Sequence, residues 1–89
     1  MTDPIAEVEE AFDVMGRKCR DMLIAHELTH SQTKVLARWM YGCLHQRRTI
    51  RDRVNKRGSG ELSKALRFIE KTAADLIRIH DEIQGESLD

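Results

Sequence analysis

Proline is almost absent from this sequence, aromatic residues number four, and there are only two cysteines. Each shortage excludes something. With a single proline and few β-branched or aromatic residues, the chain has little from which to build strands, and the composition favours helix. No run of about 18 apolar residues exists to span a bilayer. Residues 1–7 have neither a basic region nor an apolar stretch and do not read as a signal peptide, so a cytoplasmic protein is expected. Cys19 and Cys43 form no Cys-x-x-Cys and no zinc-finger spacing. In a reducing cytosol they are expected to be buried thiols, with a redox pair as the alternative. An excess of one charge is missing too. Fifteen Lys and Arg balance fifteen Asp and Glu, so bulk charge does not announce a nucleic-acid binder.

What the chain does have is helical periodicity. Asp3 is placed to cap a first helix, with Pro4 at its first position and Glu7, Glu9 and Glu10 near the positive end of its dipole. Ile5, Val8, Phe12, Met15, Cys19 and Met22 recur in alternating steps of three and four, and the next step lands on His26. Thr29 with Gln32 spells a capping box, and Ser31 is a second candidate cap. A second helix follows, with a broad apolar front half of Val35, Leu36, Trp39, Met40, Cys43 and Leu44. Its back half thins to Ile50 and Val54 between arginines. The loop Arg-Gly-Ser-Gly, residues 57–60, reverses the chain. The third seam is Leu62, Ala65, Ile69, Thr72, Leu76, Ile79 and Ile83, widened by Leu66, Ala73 and His80.

The expected fold is therefore all-α and a single domain: helices over about 4–28, 32–56 and 61–84, then an acidic tail over 85–89. Short connections make neighbours antiparallel, giving an up-down-up bundle or a helical hairpin plus a third helix. Helices of about 24 residues are roughly 36 Å long. Three rods of that length are thin for one core, and 89 residues bury only a modest one. Together with the wide apolar face on the second helix, this points to a homodimer. A central helix touching both neighbours would explain the same width.

Residues 26–30 read His-Glu-Leu-Thr-His, the H-E-x-x-H pattern in which two histidines one helical turn apart grip zinc and the glutamate activates water. The capping signals at Thr29 and Ser31 argue against it, because they put His30 at or beyond a helix end. No third ligand follows at metalloprotease spacing, and no strand is present to hold a substrate. The metal candidates are His26, His30 and His80, which an up-down-up bundle would gather at one end. No cofactor is expected, and a zinc site is the last of the alternatives.

Residues 45–57 are the most asymmetric in charge. Arg47, Arg48, Arg51, Arg53, Lys56 and Arg57 face a single acid, Asp52. These cations either meet phosphates or pair with the acidic start of the first helix, where Asp3, Glu7, Glu9, Glu10 and Asp13 have no compensating base. Residues 28–40 carry a local pattern in Leu28, Thr29, Gln32, Val35 and Leu36. It resembles the L-T-x-x-Q-x-x-V-L that follows the long first helix of MarR-type winged-helix regulators. The recognition helix and β-wing of that family do not follow here, and no function is carried across.

The resulting expectation is a small non-enzymatic module that binds another protein as a regulator, adaptor or inhibitor. Val35, Trp39, Met40 and Leu44 are the expected contact residues, since aromatics often anchor interfaces. Core packing is the competing role for Trp39. A nucleic-acid-binding regulator using the Arg-rich second helix is the alternative, and no membrane association is expected.

Overall fold

Helix α1 (Pro4–Ala25) starts where expected. The Asp3 carboxylate accepts from the Ile5 N–H at 2.9 Å, and Pro4 occupies the first turn, where its missing N–H costs nothing. The computed structural model describes residues 3–87, and 3–87 also contain helices α2 (His30–Arg57) and α3 (Gly60–Ser87). Among the described residues there is no strand.

Three boundaries differ from the sequence reading. α1 stops at Ala25 rather than near 28, and α2 begins at His30 rather than 32. The cause is the capping box. The Thr29 hydroxyl accepts from the Gln32 N–H at 3.1 Å, and the Gln32 side chain accepts from the Thr29 N–H at 3.0 Å. An N-cap needs extended backbone, and Thr29 has it (φ −67°, ψ 160°), as does His26 at the end of α1 (φ −126°, ψ 148°). Residues 26–29 therefore form the whole connection. The third difference is the expected acidic tail: α3 continues through Gly85 to Ser87, and residues 88–89 lie outside the described residues. Gly85 has open space around it and no partner element to stop the helix there.

The second reversal takes two residues. Gly58 ends α2 with its N–H donating to the Val54 carbonyl at 2.8 Å, at φ 93°, a region costly for any residue with a Cβ. The carbonyls of Gly58 and Ser59 then accept from the N–H groups of Glu61 and Leu62 and start α3.

The contacts fix an up-down-up order. Asp3 and Asp13 of α1 meet Arg51 and Arg47 of α2, while Arg53 and Trp39 of α2 meet Glu61 and Asp75 of α3. Both adjacent pairs thus run antiparallel. The core falls into two clusters along the rod. Val8, Phe12, Cys43, Ile50 and Ala65 fill one; Cys19, Leu36, Leu76 and Ile79 fill the other, and Met15 packs against both. Burying a side chain such as Phe12, Leu36, Ile50 or Ile79 contributes about 1.5–3 kcal/mol each. α2 is the central helix, lying against both neighbours, and the α1–α3 contact is the thinnest of the three pairings. The rod measures 50 × 22 × 17 Å.

Candidate interaction surfaces

The thin α1–α3 contact leaves a groove of about 480 Å³. Met15 and Met22 line it from α1, and Ala73, Leu76 and Ile77 from α3; Lys18, Asp21 and His80 stand among them. The α3 apolar arc is too wide for one neighbour: Leu76 and Ile77 are consecutive, and at 100° per residue they cannot both face the core. Leu76 is buried, Ile77 is 63 % exposed, and Leu66 on the same side is 50 % exposed. Leu66 and Ala73 were legible as a widening of the third seam; adjacent apolar residues at 76 and 77 are the signal that extends it.

The expected contact residues on α2 fall elsewhere. Val35, Trp39 and Met40 are half-buried against the second core cluster. The Trp39 ring meets Phe68 of α3 edge-on, with centroids 5.0 Å apart, and its Nε1–H donates to Asp75 Oδ2 at 2.6 Å. Phe68 meets Phe12 of α1 in the same manner at 5.9 Å, so three aromatics tie three helices together. Leu44 is 45 % exposed and borders a smaller groove of about 300 Å³ between α1 and α2, beside Tyr41 and Gly16.

Four of the five arginines of residues 45–57 meet carboxylates. Arg47 donates to Asp13 at 3.2 Å and Glu9 at 3.3 Å; Arg51 donates to Glu9 at 2.8 Å and Asp3 at 3.2 Å. Hydrogen bonding to Glu9, then to Asp3, holds the Arg51 guanidinium above its ordinary pKa. The Ile5 N–H, opposed by burial and aided by Arg51, holds Asp3 below its own. At the other junction Glu61, with a side chain only 5 % exposed, draws Lys64 at 3.0 Å, Arg53 at 3.6 Å and Arg57 at 3.9 Å. Its pKa is lowered chiefly by the Lys64 hydrogen bond, against the cost of desolvation. Arg53 also donates to Gln46, and Lys56 pairs with Asp52 at 3.2 Å. Arg48 is exposed and has no ion pair among the described residues.

The histidines do not converge on one helix face. His26 ends α1 and His30 opens α2, so the one-turn geometry that H-E-x-x-H requires is broken by the connection between them. His80 is exposed on α3, 4.0 Å from Asp81. Among the described residues no group of three or more His, Cys, Asp or Glu is arranged to hold a metal ion. The two thiols are buried and unpaired. Burial, with Cys43 nearby, pushes Cys19 up to about 12; burial raises Cys43 as well, against a hydrogen bond with Thr72. Such thiols are poor nucleophiles.

Fold and surfaces together define a three-helix all-α bundle with an apolar groove and a charged central helix. No family model, no curated protein and no solved structure matches the chain. Among the described residues no helix is long and apolar enough to cross a membrane.

Proposed function

We propose that this chain is a non-enzymatic helical interaction module, a regulator, adaptor or inhibitor that works by seating an apolar helix in the α1–α3 groove. The observation that carries the reading is the exposure of Ile77, with Leu66, beside a groove lined by Met15, Met22 and Leu76. A fourth helix laid there would cover this surface and turn a three-helix layer into a four-helix arrangement. Contiguous apolar surface of this kind on a small domain marks a contact.

The simplest source of that helix is a second copy. Lys18 and Asp21 lie one helical turn apart on the same side of the groove, so an antiparallel two-fold pairing would set each Lys18 near the Asp21 of the other copy. A protein partner would occupy the same groove in competition with self-association. Light scattering tests this directly. Wild type should show twice the chain mass of 10.3 kDa, and Ile77→Glu should shift it to one chain with its helical content intact. A wild-type mass of one chain at millimolar concentration would remove the second copy as occupant. An Ile77→Glu variant that stays dimeric would remove the groove as the contact.

A further inference from the structure

Net neutrality conceals a strong segregation of charge. α2 carries eight Lys and Arg against one acid, Asp52, and residues 28–51 contain no Asp or Glu at all. The ion pairs above neutralise only part of this helix. Arg47 and Arg51 are satisfied by carboxylates of α1, and Arg53 and Arg57 by Glu61. Lys34, Arg38 and Arg48 remain exposed on α2, and Arg67 and Lys71 on α3. None of the five has an ion pair among the described residues.

Four of these leftovers share a side of the bundle. The Phe68 ring seats against Gly42, and Trp39 reaches Asp75, which fixes how α3 lies along α2. Arg38 is one turn before Gly42, and Lys34 one turn before Arg38. Lys71 is one turn after Phe68, with Arg67 one turn before Lys71. Two rows of cations one turn, or about 5.4 Å, apart therefore run along the α2–α3 junction, on the side away from α1. Arg48, nine residues from Trp39, is on the opposite side of α2 and stands outside this set. Two acids lie close. Asp75 is held by Trp39 and Arg78, and Glu70 is exposed on α3, a residue position round from Lys71.

We propose that this α2–α3 face binds the phosphate backbone of duplex nucleic acid. The residues choose the partner class. A protein interface concentrates its energy in a cluster of aromatic or apolar anchors, and only Tyr41, one turn from Arg38, borders these cations. Single strands need several exposed aromatics for stacking successive bases, and Tyr41, also at the groove toward α1, is the lone exposed aromatic of α2. Regular cations without either feature suit a repeating polyanion, read through charge rather than sequence. The set, Lys34, Arg38, Arg67 and Lys71, shares no residue with the arginines of residues 45–57.

The test is a fluorescence-anisotropy titration with labelled 20-base-pair DNA and RNA duplexes in 50–200 mM salt. Binding should be weak and sequence-independent, with Kd on the order of 10⁻⁶–10⁻⁴ M near physiological salt. Log affinity should fall against log salt with a slope of about −4, as expected for about four phosphate contacts. The double variant Arg38→Glu/Lys71→Glu should lose at least tenfold in affinity and about two units of slope. Arg38→Lys/Lys71→Arg should keep both. Both substituted positions are exposed, so circular dichroism should be unchanged. Preference for either duplex supports a backbone site. Three results overturn the proposal: no salt-sensitive binding to either duplex at 50 mM salt, undiminished binding by the Glu double variant, or tighter binding to poly-glutamate than to duplex, which would make the partner an acidic protein.

Discussion

Gly42 sits in the middle of α2, where a glycine ordinarily weakens a helix by about 1 kcal/mol relative to alanine. Gly42→Ala should nevertheless destabilise the bundle. A Cβ at that position would stand 2.7 Å from Cζ of Phe68, closer than carbon atoms pack. The ring cannot swing away freely, because it is held edge-on by Phe12 on one side and Trp39 on the other. Overpacking of this kind costs about 1–3 kcal/mol, and loosening the aromatic pairs costs about 0.5–1.5 kcal/mol each. Set against the gain in helix propensity, the net loss is about 1–2 kcal/mol, which lowers Tm by roughly 5–15 °C in a domain of this size. Gly16 provides the control. A Cβ there would meet the Cys43 Cβ at 3.6 Å, an ordinary contact, so Gly16→Ala should gain about 0.5–1 kcal/mol and raise Tm. The assay is thermal and urea unfolding of both variants at one fixed protein concentration, because self-association would make Tm depend on it. Equal or opposite shifts, with Gly42→Ala at or above wild type, would refute the seating of Phe68 on α2. Gly42→Ala combined with Phe68→Leu should recover stability non-additively, since the two positions touch.

Other consequences are simpler to test. Thr29→Ala removes half of the capping box and should cost about 1 kcal/mol in urea unfolding. Trp39→Phe keeps the ring packing but strips the donor from Asp75; the hydrogen bond is charge-assisted but part-exposed, so a loss of about 1–2 kcal/mol is expected in the same assay. With a pKa near 12, about one Cys19 in ten thousand is ionised at pH 8, so thiol reagents should label Cys19 only as the chain unfolds; fast labelling of the native protein would contradict its burial. Glu61 has a lowered pKa in the fold. Its stabilisation should be complete above the ordinary value of 4.5 and vanish as pH falls through the lower folded value. Glu61→Gln should therefore be less stable than wild type at pH 7, and the difference should close in acid; a gap that persists at pH 2 would point to packing rather than charge.

Local signals carried most of the fold. The seam from Ile5 to Met22 places Val8, Phe12 and Cys19 in the core because a helix repeats every 3.6 residues. The Thr29–Gln32 box was readable as a cap. The stop of α1 was not, because His26, Glu27 and Leu28 include neither a glycine nor a proline to mark the helix end. The acidic start of α1 could be matched to the arginines of α2 as a possibility; choosing Arg47 and Arg51 over Arg48 required the register between the helices. The contacts at Gly42 and Trp39 join residues 26 and 36 positions apart, and no local periodicity encodes them. A lone glycine inside a long helix was still a flag that something approaches closely there.

An odd number of helices has a mechanical consequence. The chain enters the bundle at one end and leaves at the other, so Asp3 and Ser87 are separated by much of the 50 Å length. A pull applied between them runs along the helix axes and loads both packing seams at once. Such a rod has to be sheared rather than peeled, and whatever is joined to its two ends is held at a set distance.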